Sequence, residues 1–541
     1  MAARVFAYLA AVAAAPAADK VSLHAAPRNA HCTPALTTTF APPLQVTSLP
    51  GWGAPLSDTY SGYLEFTTPL GITMNLHYSE PALVLLARSA PRAYPPPLPY
   101  TAVLYMSQDG NANAPLSVWF NGGPGCSSLE GAFQETGPLW TAPGGAGLQL
   151  NDFSYNKFSH TMYLEAPACV GFSYATLGGC AHDDNSTAAN NLQALLKFYT
   201  LFPELKANKL VLQGESYAGI YIPMLAYNVH AHNQGAGAAD PIQLRGIMVG
   251  NGCIGNAAGV CGSSPYGNYL NLAQFHGHSF LSDTAFEGVL SACGNFTHED
   301  GACLVALAAA EAEIGDNYDV RPPMHNLASA PPPVCNPTPC PFPQVYDLYS
   351  NMWGTCNYGS KLSRRRPVHP NTTMGRLLAR QVAALRASNA SNQCTNDDDL
   401  TSYLNLPDVQ AALHVKPVTW QECGGVEYVS EMADERQEIY PTLINDAKID
   451  ILIFNGQSDA CVPSTDNQWW TRSMGLPVKS RWAPWSATDG SNGGYVVEYD
   501  TGGAHRFTFA TVRGAGHMVA QVQPLYASDL AKKFLAGEAL N

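Results

Sequence analysis

The chain is poor in charge. Asp, Glu, Lys and Arg make up 13% of its 541 residues, and the formal net charge is −14. No Lys/Arg-rich stripe exists to neutralise phosphates, which argues against nucleic acid as a partner. The longest basic run, Arg364-Arg365-Arg366, meets Pro367 at once and reads as a solvated loop or a processing site. Closely spaced pairs of cysteine pairs, the pattern of zinc sites, are missing. The His230-Ala231-His232 and His276-Gly277-His278 triplets read as loop or helix histidines, so neither metal nor cofactor is expected. Past the N-terminus no apolar run is long enough to cross a bilayer, which implies no membrane anchor. No internal repeat is visible, and a hydrophobic content of 46% is too high for disorder.

What is present points to an oxidising compartment. Residues 1–20 carry Arg4, an apolar run from Val5 to about Ala15, and small residues suited to cleavage, a signal-peptide pattern. Fourteen cysteines follow, with Cys335 and Cys340 placed for a local disulfide loop. Asn185, Asn295, Asn371 and Asn389 each open a glycosylation sequon. The reading is a secretory-pathway protein of an oxidising compartment.

Strands alternate with helical stretches. Val103–Ser107, Leu116–Phe120, Met162–Leu164, Leu210–Gly214, Arg245–Val249, Ile449–Phe454 and Phe507–Arg513 read as strands, and Ala188–Leu201 as an amphipathic helix. Residues 79–100, rich in Pro and Ala, read as a surface loop. That rhythm predicts an α/β protein with a mixed, mainly parallel sheet flanked by helices. It fails between about Cys253 and Gln393, a cysteine- and sequon-rich stretch read as an inserted, partly helical cap stapled by disulfides. The expected organisation is therefore 1–20 leader, 21–252 first part of the core, 253–393 cap, and 394–541 second part of the core.

The segment Gly214-Glu215-Ser216-Tyr217-Ala218-Gly219 turns a strand sharply into a helix, the nucleophile elbow of the α/β-hydrolase fold. A serine hydroxyl needs a base, and the base an orienting acid. Asp459 follows the strand Ile449–Phe454 and His517 follows Phe507–Arg513, in the order this fold uses. The backbone N–H groups of Tyr217 and of the loop Gly122-Gly123-Pro124 are candidates for an oxyanion hole.

The blocks Trp119–Ser128, Gly214–Pro223 and Gly514–Val519 together resemble the signature blocks of the serine carboxypeptidases, the family of carboxypeptidase Y and the cathepsin A protective protein. The resemblance implies a peptide hydrolase that removes residues from free C-termini of peptides and proteins through an acyl-enzyme. It implies a Ser216–Asp459–His517 triad and an oxyanion hole at Gly123 and Tyr217. It places Asn121, Gly122, Glu135 and Glu215 around the substrate's terminal carboxylate. Two adjacent glutamates facing a carboxylate must share a proton, which predicts best activity in mild acid. The family also suggests a Cys126–Cys394 disulfide. Departures from its pattern are Cys169, where Gly is usual, and Gln457 before the triad acid. Two other readings stand beside this one: an acyltransferase of the same fold, and a catalytically silent protective partner of lumenal proteins. A homodimer is left open.

Overall fold

The computed structural model describes residues 44–66, 98–175, 179–262, 264–294, 296, 300–314 and 397–540. The signal-peptide reading, Asn295, Asn371 and Asn389, Cys335, Cys340 and Cys394, and Arg364–Arg366 lie outside the described residues.

Fifteen strands occur among them. In chain order they are β1 (Leu44–Gln45), β2 (Thr59–Phe66), β3 (Leu98–Tyr105), β4 (Leu116–Phe120), β5 (Leu139–Thr141), β6 (Leu148–Leu150), β7 (His160–Leu164) and β8 (Ala181–Asp183). There follow β9 (Leu210–Glu215), β10 (Leu244–Gly250), β11 (Glu427–Val429), β12 (Asp450–Gly456), β13 (Val478–Ser486), β14 (Asn492–Tyr499) and β15 (Phe507–Val512). Eleven form one sheet in the order β1-β2-β3-β7-β4-β9-β10-β12-β15-β14-β13, while β5 pairs β6 and β8 pairs β11. The centre, β7-β4-β9-β10-β12-β15, is parallel, and the strands added at both edges are antiparallel.

The central strands are apolar on both faces, as a sheet covered by helices requires. Leu210, Leu212, Ile247, Val249, Ile451 and Ile453 join one core cluster. Their alternate neighbours Val211, Met248 and Leu452 join a second one on the other face. Helix α1 (Asp184–Leu201) starts four residues before the expected Ala188, because Asp183 and Ser186 form a reciprocal capping box there. Helix α2 (Ala218–Gln234) follows β9 and is buried through most of its length.

Strand β3 corrects the reading of residues 79–100 as loop throughout. It starts at Leu98 and pairs with β2 from Phe66↔Leu98 onward. Pro99 is tolerated because β7 pairs only with Ala102–Tyr105, so no ladder partner needs its missing N–H on that side. The β13–β14 hairpin was not legible in the sequence. β13 is mostly exposed and lacks a clean alternation.

Between β10 and β12 the chain contributes helices α3 (Pro265–Gly277), α4 (Asp283–Cys293) and α5 (Gly301–Ile314). They share a small core of Leu272, Phe275, Val289, Leu307 and Ile314 that also takes in Ala460. Two disulfides, Cys253–Cys261 and Cys293–Cys303, close short loops in this stretch. Cys169 bonds Cys180.

The expected Cys126–Cys394 bond is wrong: Cys126 is bonded to Cys423. Segments 125–127 and 422–424 run antiparallel, with Ser127 N–H donating to Glu422 O at 2.7 Å and Gly424 N–H to Gly125 O at 3.0 Å. This pairing sets the two Cα atoms 3.9 Å apart. The partner lies on a segment that only the folded backbone lays beside the Gly-rich loop.

Among the enclosed carboxyl groups, three are driven upward by burial. Burial pushes Glu165 up to about 7, against hydrogen bonds from Ser127, the Phe172 N–H and Trp420 Nε1. Burial likewise pushes Asp466 up to about 7. Glu435 is raised well above its usual range by burial first, then by the neighbouring Asp184 and Asp434. Below the ordinary carboxyl values, folded and unfolded chains both hold these protons and no penalty arises. As pH rises the unfolded chain releases them first, so each group withdraws stability until its folded value is passed. His160, His182 and His278, lowered by desolvation, act the opposite way below the ordinary histidine value, so the expected outcome is a melting temperature that falls between about pH 6.5 and about pH 8. Thermal unfolding at constant ionic strength checks it, and a flat profile over that range contradicts it.

Candidate active site

The register of the parallel strands brings the site together. Phe120 aligns with Gly214, Glu215 with Gly250, Gly250 with Phe454, and Gly456 with Val512. The loops that leave these strand ends therefore open on one edge of the sheet, where ligands bind in such folds.

At the elbow, Ser216 is a non-glycine residue at φ +62°, in the left-handed region. The turn is held by Ser216 N–H to Gly250 O (3.0 Å) and by Cys253 N–H to Ser216 O (3.0 Å). Gly214 is obligatory: a Cβ there would meet Phe120 O at 2.0 Å. The Gly-rich loop packs directly on this turn, since a Cβ on Gly122 would lie 2.5 Å from Tyr217 N and 2.6 Å from Ser216 Cβ. Gly123, next in the loop, has φ +108°. Both candidate oxyanion donors thus border the elbow.

Asp459 and His517 are in contact, Nδ1 to Oδ2 at 2.8 Å, and both are buried. The acid also accepts from Cys461 N–H (2.7 Å), Val462 N–H (3.3 Å) and Asn251 Nδ2 (2.5 Å). A carboxylate only accepts, so Nδ1 carries the imidazole proton and Nε2 is the unprotonated ring nitrogen. Asn251 was missed in the sequence except as a strand end. It occupies the left-handed region at φ +46°, which Asn tolerates, and its Oδ1 accepts from Gly456 N–H. The acid and histidine loops are stitched together by Ser458 N–H to Ala515 O and Gln457 N–H to Val512 O. Helix α3 reaches the same loop, with Gln274 Nε2 donating to Asp459 O and Gln457 O at 2.8 Å.

A second cluster surrounds Asn121. Its Oδ1 accepts from Trp119 Nε1 (2.7 Å) and Gly131 N–H (3.1 Å), which fixes the amide so that Nδ2 faces carboxyl groups. Those are Glu135 (3.0 Å), Glu215 (3.4 Å) and Glu130 (3.5 Å), all buried. Glu135 closes a single wide turn, Gly131–Glu135, all of whose residues are buried. Glu130 was not singled out in the sequence; its only signal was a second acidic residue, beside Glu135, in the block after the Gly-rich loop. Asn185, the one described sequon asparagine, is exposed on the first turn of α1 and donates to Glu431 at 2.8 Å.

The serine carboxypeptidase family model matches residues 103–537. The chain belongs to the serine carboxypeptidase family. It is 32% identical to serine carboxypeptidase 1 of Hordeum vulgare over 517 residues, covering 92% of this chain and 93% of that one. It is 31% identical to the lysosomal protective protein of Mus musculus over 445 residues, covering 80% of this chain and 86% of that one. Among solved structures it is similar to Kex1Δp, a prohormone-processing carboxypeptidase of Saccharomyces cerevisiae. That match has a TM-score of 0.59 at 20% identity and covers 91% and 95% of the two chains, a likeness of fold. The α/β-hydrolase architecture and the serine-type carboxypeptidase class are thereby established for this serine carboxypeptidase. None of its described helices is long and apolar enough to cross a membrane.

Asn251 supplies a test of the acid's surroundings. Asn251→Asp keeps the side-chain shape and the left-handed turn but replaces a donor to Asp459 by an acceptor. A hydrogen bond to a charged group contributes about 1.5–3 kcal/mol, so kcat is expected to fall roughly tenfold to hundredfold in this serine carboxypeptidase. Steady-state kinetics on a blocked dipeptide measures it, and an unchanged kcat contradicts it.

Proposed function

We propose that this serine carboxypeptidase removes single residues from peptide C-termini, with Ser216 as nucleophile, His517 as base and Asp459 as its orienting acid. Ser216 Oγ attacks the scissile carbonyl carbon while its proton passes to His517 Nε2. The negative oxygen of the tetrahedral intermediate is held by the N–H groups of Gly123 and Tyr217. The C–N bond then breaks, and His517 returns the proton to the departing amine. Water attacks the resulting ester, loses a proton to His517 and releases the shortened peptide, restoring the Ser216 hydroxyl.

The observation that carries the exopeptidase reading is the buried amide of Asn121 facing Glu135 and Glu215, one residue from the elbow serine. A simple esterase has no use for carboxyl groups gathered there. With a shared proton they donate a hydrogen bond to a terminal carboxylate, with Asn121 Nδ2 as a further donor and Gly122 in the same loop. Once the proton is lost the cluster repels that carboxylate. Cleavage is therefore expected to decline on the alkaline side through rising KM. Residues 1–20 act as a leader in this reading, 253–393 as a cap over the core, and the acidic lumen of a lysosome or vacuole suits the pH dependence.

A C-terminal ladder assay on mixed peptides at acid and neutral pH tests the proposal. Stepwise trimming that is stronger in acid and abolished in Ser216→Ala is the expected result. Acyl transfer from acyl-glucose esters without trimming would instead select the acyltransferase reading. Correctly folded protein whose Ser216 is not labelled by a fluorophosphonate would select the silent protective partner.

A further inference from the structure

The two candidate oxyanion donors belong to different parts of the chain, and one ribbon outside the triad is fastened to both. This ribbon is the parallel pair β8–β11, with Ala181 opposite Glu427 and Asp183 opposite Val429. Upstream of β11, Cys423 is bonded to Cys126, three residues after Gly123. Downstream of β8, Asp184 Oδ1 accepts from Tyr217 Oη at 2.8 Å and from Tyr428 Oη at 3.0 Å. Its Oδ2 accepts from the N–H groups of Glu431 (2.6 Å) and Met432 (2.7 Å).

Tyr217 Oη also lies 2.7 Å from Ser430 Oγ. A phenol has one proton and a carboxylate can only accept, so Tyr217 donates to Asp184 and the Ser430 hydroxyl donates to Tyr217. The ring of Tyr217 packs edge-on against Tyr428 at 5.5 Å and Tyr221 at 5.4 Å. Tyr221 in turn reaches the Gly-rich loop, its hydroxyl accepting from Gly125 N–H at 3.3 Å. Asp184 is almost wholly enclosed, and its four donors satisfy it there.

We propose that Asp184 is a positioning residue for the oxyanion hole. It ties Tyr217 to the ribbon, the Cys126–Cys423 bond ties the Gly123 loop to the same ribbon, and together they set the spacing between the two backbone donors. This rests on the roles given above to Ser216, Gly123 and Tyr217. Hydrogen bonds to a developing oxyanion are sensitive to sub-ångström placement, and little of that sensitivity is felt by ground-state substrate. Loss of the tie therefore appears in kcat rather than in KM.

The test compares Asp184→Asn, Tyr217→Phe and the pair Cys126→Ala/Cys423→Ala, alone and combined, at temperatures where circular dichroism shows each folded. Tyr217→Phe removes one hydroxyl and guards against a folding defect in the other variants. Asp184→Asn and Tyr217→Phe are expected to lower kcat on a blocked dipeptide and the rate of Ser216 labelling by a fluorophosphonate in parallel, roughly tenfold to hundredfold, with KM within about twofold. Combined with the cysteine pair, the losses are expected to be smaller than the product of the separate ones, because both ties act on one distance. Labelled wild type with unchanged kcat in folded Asp184→Asn and Tyr217→Phe overturns this inference alone, as does a loss confined to KM or fully multiplicative losses. Absence of Ser216 labelling in the wild type overturns the catalytic reading and this inference with it.

Discussion

The site depends on a close backbone approach. The loop at Gly122 presses on the turn at Ser216 so tightly that a single methyl would meet Tyr217 N and Ser216 Cβ inside 3 Å. Two chain segments almost a hundred residues apart can come that near only because β4 and β9 are parallel neighbours with aligned ends. The left-handed turn at Ser216 would be costly in isolation. Here its N–H and C=O are taken up by Gly250 and Cys253, both at the end of the next strand, β10. The sheet therefore supplies the hydrogen bonds that the elbow's geometry removes from its own segment.

Around that contact the protein uses its few charges in unusual places. Many of its carboxyl groups lie inside, and they are handled in two ways. Asp459 and Asp184 are each surrounded by several hydrogen-bond donors. Glu165, Asp466 and Glu435 are instead driven upward by burial and keep their protons in mild acid. At Asn121 one amide is shared among three carboxyl groups, those of Glu130, Glu135 and Glu215.

Much of the site was legible because the chemistry is local. Gly214, Ser216, Gly122 and Gly123 announce their turns by residue type, and Asp459 and His517 follow apolar strands at the expected places. Cysteine pairing was not legible. Fourteen cysteines allow many pairings, and the family-derived partner of Cys126 failed because pairing follows the antiparallel run of 125–127 beside 422–424. Asn251, Asp184 and Glu130 were also hidden. Each is an ordinary polar residue in the sequence, and its importance lies in what sits opposite it in space.

The sequence by itself determined the α/β order of elements, the elbow, and the identity and chain order of the triad candidates. Those properties are written in residue types and short-range periodicity. The tertiary structure alone decided which amide holds the acid, that Glu130 joins Glu135 and Glu215 at Asn121, and how Cys423 and Asp184 fasten one ribbon to the Gly-rich loop and to Tyr217. Such partners are brought together by sheet register and loop packing across hundreds of residues, and no local pattern encodes a distance of that kind.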